Sequence, residues 1–436
     1  SILVECEKRL KALVLAGGTG RRLFPLTETM AKPMIPLAGK PILEYVIQYL
    51  VDTGLRDILI VVGHKKEQIC EYFASGKDFG AKISYVEQKK PLGVEDAILT
   101  ASPQLVHEDE FLIVHADFIA SEEIVRRAIE YHSGLNSDAT IVVTLVNNPT
   151  FYGAVEIDET ARIKRIVEKP KPNEAPSNYA AAGVYVFKQE FLKKLEETRK
   201  LDKAVQLMIQ ENKTVYGMVW EKDWTEITYP WDILEANRFA LAQKLKGKGS
   251  FIAESAQIDS TARIEAPVWI CDDVIIRPRA VIRGPCYIGR DSFIGDGALI
   301  RDHTSIGVHV SVGFGVEIKN SVIFDNTSIG RLSYIGESII GRNVRIGAGT
   351  QTWNIGMRRG PPIEMSIGDE MVLVPVERFG AVIGEDAEIS INVSIFSGKK
   401  IGARSTIYPG VIVNQDIPSD TEVVAEQVTK ISKKRD

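Results

Sequence analysis

Beyond residue 250 an aliphatic side chain returns at every sixth position: Ile252, Ile258, Ile264, Ile270, Ile276, Ile282, Ile288, Ile294, Ile300, Ile306, Val312 and Ile318. The spacing shortens by one before Ile323, Ile329 and Ile335, and again before Ile340 and Ile346. It is regular once more at Ile383, Ile389, Ile395, Ile401, Ile407 and Val413. A period of six fits neither a helix nor an ordinary alternating strand. It predicts a β-helix of hexapeptide repeats, each step one flat side of a triangular coil with the aliphatic residue pointing inward. Ile-Gly pairs such as Ile288-Gly289, Ile294-Gly295 and Ile306-Gly307 are expected to supply the corners. From about 351 to 378 the period is lost, which predicts an excursion loop.

Residues 11 to about 245 carry a different pattern. Runs at 13–15, 55–62, 83–86, 111–114 and 139–146 read as strands, and between them 41–53 and 124–132 place apolar residues at helical spacing. Such alternation favours a mostly parallel sheet with helices on both faces. Gly247-Lys248-Gly249-Ser250 breaks it and reads as a linker. The expectation is an α/β domain over 1–246 and an all-β coil over 247–436.

Composition narrows the function classes. With 436 residues, 44% hydrophobic and 25% charged, the chain has the make-up of a globular protein. A net charge of −5 argues against a general nucleic-acid binder. No apolar run approaches the roughly 20 residues that span a bilayer, and Ser1–Lys8 lacks the layout of a secretory signal. Cys6, Cys70, Cys271 and Cys286 have neither zinc nor redox spacing, so free thiols and a cytoplasmic location are expected.

The candidate chemistry begins where the first strand ends. Leu13-Val14-Leu15-Ala16 runs into Gly17-Gly18-Thr19-Gly20, then Arg21-Arg22. Glycines after a strand let backbone N–H groups curve around an anion, and Arg22 adds a fork suited to phosphate. The stretch lacks the Lys-Ser/Thr of a P-loop and the spacing of a dinucleotide fingerprint. Further along, Lys32-Pro33 aims one ammonium. Gln88 and Gly93 follow a strand, Asp117 follows the buried run 111–114, and Glu168-Lys169-Pro170 closes another apolar run. Taken singly these have plainer explanations: solvated lysines, a strand-end amide, a turn aspartate.

In order and spacing they resemble the sugar-1-phosphate nucleotidylyltransferase family over residues 11–245, joined by Tyr152-Gly153, Gly183-Val184-Tyr185 and Trp224-Thr225-Glu226. The resemblance implies a Rossmann-like nucleotidyltransferase domain followed by a left-handed β-helix. It assigns Leu15, Ala16, Gly17, Gly18, Gly20, Arg22 and Lys32 to the triphosphate, with Gln88 and Gly93 on a pyrimidine base. Asp117 and Glu226 would ligate Mg²⁺, and Gly153, Glu168 and Lys169 would hold a sugar-1-phosphate, Arg22, Lys32 and Lys169 being the catalytic cations. The implied reaction is in-line attack of a sugar-1-phosphate on the α-phosphate of an NTP, UTP or dTTP favoured, with pyrophosphate leaving. Ala116, Ala181 and Glu226 stand where the family usually carries Gly, Asn and Asp. A weak or regulatory paralogue that binds nucleotide sugars is therefore an alternative.

The coil resembles that of the bifunctional nucleotidylyltransferase/acetyltransferases, archaeal members included, through Arg301, Lys319, Tyr334 and Asn354. Those proteins imply a second activity, acetylation of glucosamine-1-phosphate with acetyl-CoA. Arg331 stands where they carry a histidine base, and arginine stays protonated. The coil then reads as an assembly module, trimeric or a multiple of it, with Arg301, Lys319, Arg331 and Arg345 a candidate anion pocket.

Overall fold

The computed structural model describes residues 10–434, apart from 359 and 361, so Cys6 lies outside the described residues. These residues form two compact units. One takes the residues up to Gly20, Met30–Ile35 and Lys40–Thr228. The other takes Arg21–Thr29, Pro36–Gly39 and the residues from Tyr229 onward.

The first unit is built on a nine-stranded sheet. The strand Lys11–Ala16 lies parallel between Asp57–Val62 and Glu110–His115, and Lys82–Glu87 extends the sheet beyond Asp57–Val62. Its apolar residues are almost wholly buried, Ala12, Leu13 and Val14 completely. Strands covered on both faces read as continuous apolar runs. Tyr179–Lys188 then enters antiparallel beside Glu110–His115 and also pairs with Ala139–Leu145 and Gly153–Ile157. All the parallel strands end on one side, where open α/β sheets bind ligands.

In the second unit the coil winds three parallel sheets of eight, nine and eight strands. Ile270, Ile288, Ile306, Ile323, Ile340, Ile383 and Ile401 stack in line on one side. Ile276, Ile294, Val312, Ile329, Ile346, Ile389 and Ile407 stack on the second. Ile264, Ile282, Ile300, Ile318 and Ile335 stack on the third. All but the outermost coil's aliphatic residues belong to one buried core. This is the left-handed β-helix of hexapeptide repeats that the spacing predicts. Thr352 takes an inward position on the third side, its hydroxyl satisfied by donating to the Tyr334 carbonyl. Between Gln351–Thr352 and Val382–Ile383 an antiparallel hairpin, Glu364–Ile367 with Glu370–Leu373, leaves the coil's ladder and packs on its outside, Lys400 donating to the Ser366 carbonyl.

The Ile-Gly pairs lie at the corners as expected, Gly295 accepting from the Ala298 N–H across its turn, but the glycine is not the left-handed residue. Left-handed backbone falls three residues after many of the inward aliphatics, as at Asp291, Gly297, His303, His309 and Gly315. Gly289, Gly295 and Gly307 have another task. A Cβ on Gly289 would run into the backbone of Gly307 one turn on, and one on Gly295 would lie 2.7 Å from the carbonyl carbon of Gly313. The glycine after the isoleucine is therefore required by the closeness of successive turns. Both one-residue slips coincide with left-handed residues, Asn320 and Glu337.

The helix Pro230–Leu245 packs on the coil within this unit. Its buried Asn237 donates to the His303 carbonyl at 3.0 Å and accepts from the Ser305 hydroxyl at 2.6 Å. Lys244 places its ammonium 4.6 Å from the centre of the Trp269 ring. Cys70, Cys271 and Cys286 are free thiols, and burial pushes Cys286 up to about 12. Among the described residues no helix is long and apolar enough to cross a membrane.

Ile294 is fully buried between its stacked neighbours. Ile294→Ala should therefore destabilise the coil by about 2–5 kcal/mol, and Ile294→Val by about 0.5–1.5 kcal/mol. Denaturant unfolding followed by far-UV circular dichroism checks the order of the two.

Candidate active site

The turn after the first strand depends on its first glycine. Gly17 is buried, and a Cβ there would lie 2.7 Å from the side-chain oxygen of Gln88. Glycine lets that amide reach the turn. Gln88 is itself held: its Nε2 donates to the Gly93 carbonyl at 3.0 Å and to the Asp96 carboxylate at 2.8 Å. Both amide hydrogens are thereby engaged within the protein, and the oxygen faces Gly17. Gly93, at φ +102°, ends the loop ahead of the helix Val94–Ala101, a conformation that L side chains rarely adopt. Leu15 is half-buried, Ala16 buried and Gly18 exposed.

Asp117 lies in the bend between Glu110–His115 and Phe118–Ala120. Phe118–Ala120 pairs antiparallel with Trp224–Glu226, so that Glu226 sits opposite Phe118, and the Ile227 N–H donates to the Asp117 carbonyl at 2.8 Å. This short ladder carries Glu226 to the side of Asp117 from a distant part of the chain. Lys32 comes from the turn Lys32–Met34 and places Nζ 2.8 Å from Asp117 Oδ2. Burial pushes the Asp117 carboxyl up, but the Lys32 ammonium and, less so, His115 outweigh it, and the group is held below the usual carboxylate range. The second oxygen, Oδ1, is buried without a hydrogen-bond partner.

His115 is the residue that motif reading passes over. It stands at the end of its strand, two positions before Asp117, with Nδ1 4.0 Å from Asp117 Oδ1. Burial holds its ring below the ordinary histidine value, Asp117 opposing this in part. Its Nε2 is buried and unpartnered. His115, Asp117 and Glu226 offer one ligand atom each, all within 4.8 Å of one another. The period of two along extended chain puts His115 and Asp117 on one face, which is the signal that would have found it. Gly183, at φ +79° in an irregular stretch of Tyr179–Lys188, passes the ring closely. A Cβ there would lie 3.3 Å from that of His115.

On the neighbouring strands Glu168 is the register partner of Gly153, and a Cβ on Gly153 would crowd the Glu168 carboxylate at 3.1 Å. Lys169 follows in a left-handed conformation, its N–H donating to the Tyr152 carbonyl at 2.9 Å. The Tyr152 ring meets Trp224 edge-on at 5.8 Å, and Trp224 donates to the Ala182 carbonyl at 3.0 Å. These contacts tie the Lys169 turn to the strand that bears Glu226. Arg22 belongs to the second unit, where its exposed guanidinium lies 5.8 Å from the centre of the Tyr229 ring.

On the coil, Lys319 pairs with Glu337 at 3.0 Å, and Asn354 bonds both Glu337 and the Tyr334 hydroxyl. Arg301 pairs with Glu317 at 3.0 Å. Arg331 and Arg345 are exposed. Two of the four candidate cations thus carry carboxylate partners.

The pattern of the nucleotidyl transferase family matches residues 11–243, and that of the GMPPB C-terminal domain matches 282–395. The chain is 36% identical over 433 residues to the bifunctional protein GlmU of Methanococcus maripaludis, covering 98% of this chain and 100% of that one. It is 33% identical over 417 residues to the bifunctional sugar-1-phosphate nucleotidylyltransferase/acetyltransferase of Sulfurisphaera tokodaii, covering 94% and 98%. Over 264 residues, 59% of this chain and 72% of the relative, it is 33% identical to the low-salt glycan biosynthesis nucleotidyltransferase Agl11 of Haloferax volcanii. With a matching catalytic domain, a matching coil and relatives aligned along nearly their whole length, the chain belongs to the sugar-1-phosphate nucleotidylyltransferase family, in the group that carries a hexapeptide-repeat β-helix.

Proposed function

We propose that the enzyme transfers a nucleotidyl group from UTP or dTTP to a sugar-1-phosphate, releasing pyrophosphate. The observation that carries this reading is the Lys32–Asp117–Glu226 cluster at the carboxyl edge of the parallel sheet. Backbone N–H groups of the Gly17–Gly20 turn are assigned to the triphosphate, with Leu15 and Ala16 leading into it. Lys32 joins them, and so does Arg22, which follows the turn in sequence. Gln88 and Gly93 are assigned to the base. Because the Gln88 amide hydrogens are engaged by Gly93 and Asp96, its oxygen is the atom offered, as an acceptor for the ring N–H of uracil or thymine.

Gly153, Glu168 and Lys169 are assigned to the sugar phosphate, with Lys169 meeting the phosphate and aiming its oxygen at the α-phosphorus. Asp117 and Glu226 would hold Mg²⁺; the buried, unpartnered Oδ1 of Asp117 and the nearby second carboxylate fit a cation. That ion would supply neutralisation of charge on the phosphates. Little covalent work falls to the protein, and on this assignment alignment plus the positive charge of Lys32, Lys169 and Arg22 would supply the rate.

Acetyl transfer at the coil is a second reading with weaker support. Its histidine base is replaced by Arg331, and Lys319 is committed to Glu337. Exposed Phe314, Leu332 and Ile391 on the coil favour burial against further copies of the chain, as expected of a trimer or a multiple of it.

With UTP or dTTP, a panel of sugar-1-phosphates and Mg²⁺, the full chain should release pyrophosphate. Asp117→Ala should lower turnover by at least about 10³-fold with the circular dichroism spectrum unchanged. Failure to release pyrophosphate from any of the four common NTPs would sink the assignment and favour a nucleotide-sugar-binding regulator. With acetyl-CoA and glucosamine-1-phosphate, no free CoA thiol is expected above background. Light scattering in solution should return three times the chain mass or a multiple of that.

A further inference from the structure

Resting on the assignment of Asp117 and Glu226 to a metal, we propose that His115 is a third, nitrogen ligand, and that it makes the site select first-row transition ions over Mg²⁺. Three observations meet here. His115 and Asp117 lie on one face at the end of the same chain segment, with Nδ1 and Oδ1 4.0 Å apart. Donor atoms of one ion at about 2.1 Å are separated by roughly 3 to 4 Å, so the pair is already close to a shared-ion spacing. Glu226 brings a third donor atom to within 4.8 Å of both. Asp117 Oδ1, the oxygen that faces His115 Nδ1, is buried with no hydrogen-bond partner, a condition that native interiors avoid unless something else completes the group.

The neighbourhood also fixes the ring. Tyr185 lies 5.8 Å away, centre to centre, and the strand carrying it uses Gly183 to pass the imidazole at close range. Lys32 is directed to the other oxygen of Asp117, Oδ2, so Oδ1 keeps its face toward the histidine. Two carboxylates alone would make a hard oxygen site, well suited to Mg²⁺. An imidazole beside them moves the donor set toward ions from Mn²⁺ upward in the affinity order, because nitrogen ligands bind these ions better than they bind Mg²⁺.

The test uses the full chain, Mn²⁺ as probe, and UTP without sugar phosphate. Electron spin-echo modulation of bound Mn²⁺ should show coupling to a directly ligated nitrogen, and the coupling should disappear in His115→Gln. Mn²⁺ affinity relative to Mg²⁺ should fall about tenfold in the same variant. Circular dichroism checks that its fold is kept, and His115→Asn repeats the measurement should His115→Gln fail to fold. Mn²⁺ that binds in an Asp117-dependent manner without nitrogen coupling overturns the role of His115 and leaves the nucleotidyl-transfer reading standing. Nitrogen coupling that persists in His115→Gln overturns it equally. Mn²⁺ binding that is indifferent to Asp117→Asn overturns the metal assignment, and this inference with it.

Discussion

A carboxylate withdrawn from water stays ionised only if a positive partner offsets the lost hydration, and the surroundings of Asp117 follow from that requirement. Lys32 provides the partner, held at short range by a turn whose proline stiffens it. One oxygen is thereby neutralised and the other is left buried and unpartnered. Breaking such a pair exposes an uncompensated charge, which costs more than the pair itself contributes. The same residues thus join the stability of the sheet edge to its chemistry. The short ladder between Phe118–Ala120 and Trp224–Glu226 sets the second carboxylate beside the first.

The glycines of the first unit make sense in this frame. Gly17 yields space to Gln88, Gly153 to Glu168, and Gly183 to His115. In each case the missing Cβ admits a polar side chain from another strand. Such positions are costly in chain entropy, and they gather at the edge where the polar groups meet.

The coil is legible almost completely from spacing, because one inward position per flat side repeats without reference to anything else in the chain. The one-residue slips at Asn320 and Glu337 are visible as well, and the structure adds only that a left-handed residue absorbs each. What spacing did not show was why the corner residue is glycine: it answers to the next turn's backbone, a contact that no single repeat contains. In the first unit, Lys32, Gln88 and Asp117 stand out by motif. Glu226 stands out in the same way, but Asp96 does not, since it gains meaning only when its helix returns to Gln88. His115 was missed for a different cause. A lone histidine at a strand end has no motif, and only its shared face with Asp117 marks it.

The hairpin that leaves the ladder has a consequence for how this protein can diverge. Ile340 is stacked directly against Ile383, and Thr352 against Ile395, as though the intervening segment were not there. The ladder closes across the point of departure, so the inward stack continues whatever is packed outside it. That corner is a graft site. Sequence can be lengthened, shortened or exchanged there while the stack keeps its register, and new surface can be acquired without the core being redesigned.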